Sequence, residues 1–217
     1  MDCPIQVRGL SLSYRWKNYE KSIFQDLNLC FPRGSFVTIQ GGNGSGKSSL
    51  LKLILGLIYP QSGDVLIEGL PVNFGYPQAV REHTIAYLAQ RIDQFFYADT
   101  VLEELSYNQI ELNDENTKYL HELGLDHLLE RAMQNLSGGE KQGLALAQFM
   151  MSPASILILD EPSSYLDEER ASILRQFLDE AHTKGKTIIY VTQYPLERDW
   201  GTHSLDLDSS NSEIVAL

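Results

Sequence analysis

Nine consecutive residues, Gly41-Gly42-Asn43-Gly44-Ser45-Gly46-Lys47-Ser48-Ser49, carry the clearest chemistry in this chain. They fit the spacing G-x-x-x-x-G-K-[ST], in which glycines let the backbone curl until successive N–H groups point inward. Such a nest accepts anionic oxygens, and the helix expected from Lys47 onward adds its positive end. Lys47 suits the β- and γ-phosphates of a nucleotide, and the Ser48 hydroxyl suits Mg²⁺. Two carboxylates follow far downstream. The run "ILILDE" ends in Asp160 and Glu161, where Asp160 can hold the metal and Glu161 can take a proton from an attacking water. A third polar group ends another apolar run: "TIIYVTQYP" stops being apolar at Thr192 and offers the Gln193 amide.

A second glycine-rich segment, "NLSGGEKQ", reads as a helix start, because Ser137 and Glu140 stand at capping-box spacing. The cap does not explain Gly138 and Gly139 in the first turn, which cost helix stability. Bare backbone there suits the close approach of an anion.

The surrounding elements must bring these groups together. From Pro4 to about Glu68 the pattern is strand-like, in "IQVRGLSLSY", "SFVTIQ" and "GDVLIEG", with one helix, "KSSLLKLILGL", between them. From about Arg91 to Ser152 apolar residues recur at helical spacing. From Ala154 onward "SILILD", "EERASILRQFLDEAHTKG" and "KTIIYVT" read strand, helix, strand, a crossover that implies a parallel sheet. The expected organisation is one α/β domain over residues 1–217. Its core comprises 1–90 and 153–217, and a helical insert occupies 91–152.

Composition sets bounds on function. The 217 residues suffice for one sizeable core, and 43% apolar with 21% charged residues is ordinary for a globular chain. A net charge of −12 argues against nucleic acid as the main partner, because phosphate neutralisation needs a basic face. Two cysteines, Cys3 and Cys30, form no disulfide framework or metal-ligand pattern and are expected as thiols in a reducing compartment. The first residues show no signal-peptide pattern, and "LILGLIYP" falls far short of the ~20 apolar residues that span a bilayer. A membrane role would come from a partner.

With these motifs in this order, nearly the whole chain resembles the ATP-binding cassette (ABC) ATPases. The resemblance implies a P-loop NTPase (RecA-like) core with an N-terminal antiparallel β subdomain and an inserted α-helical subdomain. It implies ATP and Mg²⁺ as ligands. Gly41 to Ser49 become the Walker A loop, and Asp160 and Glu161 become Walker B with its catalytic glutamate. Gln90, at the end of "AYLAQ", resembles the Q-loop glutamine that ligands Mg²⁺ and senses the transport partner. Leu136-Ser137-Gly138-Gly139-Glu140 is the family signature, acting on the ATP of a second cassette subunit, in a homodimer or a heterodimer. Asp167 ends a D-loop. Tyr14 looks like the aromatic that stacks on adenine, with Trp16 and Tyr19 as alternatives.

The stretch "QRIDQFFYADTVLEEL" is similar to the post-Q-loop region of energy-coupling-factor and cobalt-type importer ATPases. There Phe95, Phe96 and Tyr97 would help form the groove for a transmembrane subunit, docked near Gln90 and Phe95. The implied location is cytoplasmic, peripheral on the inner face of the cell membrane. Three positions depart from the family pattern. Gln193 stands where a histidine that contacts the γ-phosphate is usual, Tyr165 where a small D-loop residue is usual, and Gly143 where an arginine is usual. An amide keeps one donor but cannot become a cation, so slow hydrolysis is expected, as is pairing with a better-equipped cassette. A bulky Tyr165 is expected at the dimer seam. Two other functions fit the motifs less well: a non-transport cassette ATPase, and a regulatory ATP-binding cassette with little or no hydrolysis. Lys47, Asp160 and Glu161 weigh against the latter.

Overall fold

The structure, a computed structural model, describes residues 2–17, 19–72, 84–90, 96–209 and 212–217. Two sheets organise it. The first has the order β2-β1-β4-β5, built from β1 (Ile5–Trp16), β2 (Tyr19–Phe31), β4 (Ser62–Ile67) and β5 (Leu70–Pro71). Its neighbours run antiparallel. Core-facing residues alternate along β1, with Ile5, Val7, Leu10 and Leu12 buried, as expected for a sheet with one wet face.

The second sheet has the order β10-β9-β3-β8-β7-β6. It holds β3 (Phe36–Gln40), β6 (Ile85–Leu88), β7 (Ile156–Asp160), β8 (Thr187–Val191), β9 (His203–Asp206) and β10 (Ile214–Ala216). All its pairings are parallel except β9 with β10. Every residue of β7 and β8 is buried, the pattern of strands covered on both faces. One face packs on the antiparallel sheet and on α1 (Lys47–Ile54), through Ile39, Leu50, Ile158 and Ile189. The other face packs on the helical region, through Leu157, Leu159, Ile188 and Tyr190.

That region contains α2 (Val101–Tyr107), α3 (Asp114–Glu122) and α4 (Gly138–Met150), and α5 (Glu168–Thr183) then crosses back to β8. The architecture is therefore α/β, a P-loop cassette fold with an antiparallel sheet beside a mostly parallel one. Among the described residues no helix is long and apolar enough to cross a membrane.

The cysteine expectation is corrected. Cys3 and Cys30 are joined as a disulfide, with Cα atoms 5.6 Å apart. The register of β1 on β2, Ile5 opposite Phe31 and Gln6 opposite Cys30, carries Cys3 to its partner. A count of two cysteines separated by 27 residues could not show this.

Candidate functional site

The phosphate loop is shaped by glycines that have no substitute. Gly44 (φ 84°) and Gly46 (φ 106°) take left-handed backbone conformations that side chains disfavour. Space also excludes a side chain: a Cβ on Gly46 would lie 2.6 Å from the Phe24 ring, and one on Gly41 2.5 Å from Ser45 Oγ. The loop leads into α1, whose start carries no side-chain cap and no acidic residue in its first turn. Its leading N–H groups therefore face the loop rather than a capping oxygen. Lys47 is buried, and its Nζ donates to the carbonyls of Gly41 (2.6 Å) and Gly42 (3.2 Å). Ser45 Oγ is buried inside the loop with no hydrogen-bond partner. A glycine-lined nest, an uncapped helix start, an ammonium and an orphaned hydroxyl form a donor set that fits a polyphosphate.

Around this nest the strand ends converge. The chain turns sharply where β7 ends: Asp160 is buried and Glu161 adopts φ 50°, a left-handed conformation uncommon for a side chain of this kind. The Glu161 N–H donates to the Val191 carbonyl at the end of β8 (3.0 Å). Burial pushes the Asp160 carboxyl above its ordinary value, the adjacent Glu161 charge adds to this, and Lys47, Lys52 and a hydrogen bond from Tyr87 oppose it. Gln90 follows β6 and donates from Nε2 to Glu161 Oε2 (3.2 Å). Gln193 is exposed just past β8 and lines a cleft with Gln40, Gly41, Arg198 and Asp208. The segment carrying it is anchored from beneath. Glu197, buried, accepts from the Thr192 hydroxyl and from Tyr190 Oη (3.2 Å). Tyr190 Oη in turn lies 2.7 Å from Ser163 Oγ, and Thr192 Oγ1 accepts from the Tyr194 N–H (3.0 Å).

Tyr14, on β1, places its hydroxyl 3.2 Å from Ser49 Oγ at the start of α1 and keeps 47% of its surface exposed. Trp16 and Tyr19 lie further out on the same hairpin, paired with each other and more exposed. Ser48 is exposed in the first turn of α1, and Asn43 at the tip of the loop.

The glycine-rich helix start forms a second group. Ser137 caps α4 with the expected reciprocal bonds: Glu140 N–H to Ser137 Oγ (3.2 Å) and Ser137 N–H to Glu140 Oε2 (2.7 Å). Those bonds, the Ser137 backbone N–H first, hold the Glu140 carboxyl below its ordinary value. Leu136 is buried beneath the cap, whereas a Cβ on Gly138 would meet open space. Asp167 caps α5, accepting from the Arg170 N–H (2.9 Å). Among the described residues, no hydrogen bond or ion pair joins Leu136–Glu140 to Gly41–Ser49.

Several residues in or near the site carry no signal in the sequence. Asp208, past β9, accepts from the Gly42 N–H (2.6 Å), and Lys21 Nζ donates to the Gly44 carbonyl (3.0 Å). Glu104, buried in α2, accepts from the N–H groups of Tyr97 and Ala98 (2.8 and 2.9 Å) and so shapes the turn before that helix. Tyr97 is exposed against Tyr107, ring centroids 5.7 Å apart, and Phe96 packs partly buried on the core. Phe95 lies outside the described residues. Tyr165, expected at a dimer seam, makes its hydrogen bond within the chain. It is half-buried, and its hydroxyl donates inward to the Ala89 carbonyl (3.2 Å), beside the Gln90 segment.

Known proteins share the sequence and the fold of this chain. The family model described as "ABC transporter" matches residues 24–164, more than half of the chain. An energy-coupling factor transporter ATP-binding protein, EcfA1 of Mycoplasmopsis pulmonis, is 34% identical over 195 residues, covering 86% of this chain and 73% of its own length. EcfA1 of Mycoplasma mobile is 32% identical over 190 residues, covering 84% and 69%. In fold, the structure superposes with a TM-score of 0.78 on a dimeric ATP-binding cassette solved in a post-hydrolysis state with ADP and Pi. That alignment is 23% identical and covers 97% of this chain and 96% of the other. The chain belongs to the ABC transporter family, as one of its ATP-binding, ATP-hydrolysing cassettes.

Proposed function

We propose that this cassette powers an importer of the energy-coupling-factor or cobalt type, and that it turns over ATP slowly because an amide stands at position 193. The observation that carries the reading is the meeting at one cradle of three strand ends, with Gln193 beside Gly41 and Glu161 tied to the end of β8. The similarity to EcfA1 proteins supports the importer type.

In this reading Gly41, Gly42, Asn43, Gly44, Ser45, Gly46, Lys47, Ser48 and Ser49 enclose the phosphates, and Tyr14 supplies the face on which adenine stacks. Lys47 has one ammonium proton beyond the two it gives to the loop carbonyls, and its stem lets it turn to the β- and γ-phosphates. Ser48, Gln90 and Asp160 offer a hydroxyl, an amide and a carboxylate, the hard oxygen donors that Mg²⁺ takes. A Mg²⁺ ion held there would neutralise charge on the phosphate oxygens. Glu161 orients the attacking water and accepts its proton, and the Gln90 amide fixes which way that carboxylate points. Gln193 offers one N–H to the γ-phosphate but no positive charge.

Leu136, Ser137, Gly138, Gly139 and Glu140 present a helix start to the ATP of a second cassette, and Asp167 lies at the joint. That second cassette is a copy of this chain or a better-equipped subunit. A transmembrane subunit docks near Gln90 and Phe95, which places the chain on the cytoplasmic face of the membrane; nucleic acid is not a partner. The test is steady-state ATPase of Gln193→His beside the parent. A positioned donor at developing charge is worth about 10²–10³ in rate, and the amide retains part of this, so kcat is expected to rise about tenfold. No rise overturns the slow-turnover reading.

A further inference from the structure

We infer that Arg170 is a positioning residue that couples the glycine-rich start of α4 to the Asp167 turn and reinforces the positive field the α4 start presents to an anion. The inference rests on the reading above, in which that start meets the phosphates of a second cassette.

Gly139 and Gly143 stand four residues apart on α4 and so share one face. Arg170, in the first turn of α5, fills that face. Its Nη1 donates to the Gly139 carbonyl (2.9 Å). A Cβ built on Gly139 would lie 3.7 Å from Nη1, and one on Gly143 3.3 Å from Nη2 and 3.6 Å from Cζ. The guanidinium thus occupies the space where two side chains are missing. It is well covered, with 21% of its side chain exposed. From the other side Asp167 holds it, accepting from the Arg170 backbone N–H (2.9 Å) and standing 3.9 Å from Nε. One side chain therefore fixes the distance between the two segments assigned to the dimer joint.

The electrostatics are unusual for a structural arginine. A helix start is positive, so a cation beside its first turn costs helix stability. The N–H groups of Gly138 and Gly139 precede the first intrahelical bond of α4, Lys141 N–H to the Ser137 carbonyl. Their dipoles and the guanidinium add together toward any anion placed there. The arrangement that burdens the helix favours a phosphate. It also accounts for Gly143: a larger residue there would crowd the guanidinium, whose Nη2 lies 3.3 Å from the built Cβ, whereas Leu125 Cδ2 at 3.4 Å is at ordinary contact distance.

The test measures the ATP concentration that half-saturates association between this chain and the cassette it co-purifies with, itself or a second subunit. All variants carry Glu161→Gln so that ATP persists. Arg170→Ala is expected to raise that concentration about tenfold, the scale of one charged hydrogen bond. ATP binding to the separate subunit should change less than twofold, which a general loss of structure would not allow. Arg170→Ala combined with Gly143→Arg, which returns a guanidinium to the same face from α4, is expected to recover most of the loss. Unchanged association in Arg170→Ala, or no recovery in the double variant, overturns the inference. Ser137→Arg separates the two levels. If it leaves association intact, or if the parent never associates, the reading of the α4 start fails and the inference falls with it. If Ser137→Arg blocks association and Arg170→Ala does not, only the role of Arg170 fails.

Discussion

Asp160 illustrates how this site holds its functional groups under tension. Its carboxyl is buried beside a second carboxylate, and both effects raise its proton affinity above the ordinary value of 3.8. An acid whose folded pKa is raised contributes stability only while protonated. That contribution is complete below the unfolded value and is lost as pH rises through the folded value. At neutral pH the ionised Asp160 therefore costs stability, which nucleotide and metal would offset on binding. Asp160→Asn, which can still accept from Tyr87, is expected to raise the melting temperature of the nucleotide-free protein at pH 7. The gain should shrink as pH approaches 4. Thermal scans from pH 4 to 8 test this, and a lower melting temperature for the variant at pH 7 would contradict it. At this scale the sequence was informative for Lys47, Asp160 and Glu161, because each ends or begins a patterned element. It was silent on Asp208 and Lys21, whose contacts join residues 166 and 23 positions apart with no local pattern.

Among the elements, the segment after β8 depends on a buried relay. Hydroxyls of Tyr190 and Thr192 converge on Glu197, and Ser163 and the Tyr194 N–H extend the chain at either end. The relay connects the turn after Glu161 to the turn that carries Gln193. Both hydroxyls donate to one oxygen, Oε2, which the amide oxygen of a glutamine could replace; Glu197→Leu removes it and leaves the buried Thr192 hydroxyl proton without its acceptor at a cost of about 1–3 kcal/mol. The expected outcome is a melting temperature lower by roughly 2–12 °C at about 2–4 °C per kcal/mol. A fall in kcat with little change in KM should accompany it, since Gln193 is loosened and the phosphate loop is untouched. An unchanged melting temperature would mean that the relay contributes nothing. The strand-helix-strand reading of residues 154–191 located β7, α5 and β8 because each carries its own period. The disulfide between β1 and β2 and the inward turn of Tyr165 were not legible, because both follow from how elements pair rather than from what they are made of.

For the molecule as a whole, the parallel sheet gathers the ends of β3, β7 and β8 at one edge, and the antiparallel sheet brings Tyr14 to the same place. The helical region places the α4 start apart from that cradle. In the proposed reading this separation makes sense of two glycine-rich anion sites in one chain, each half of a site that a second cassette would complete. The motif order conveyed the P-loop cassette fold in advance. The Arg170 bond to the Gly139 carbonyl spans 31 residues and needed coordinates. The central claim is that ATP held at Gly41–Ser49 is hydrolysed with Glu161 as the proton acceptor. Steady-state ATPase of Glu161→Gln, alongside ATP binding to the same variant, tests it most directly. The account predicts that kcat falls by about 10²–10⁴-fold while ATP binding persists. A variant that hydrolyses ATP at the parent rate would contradict it.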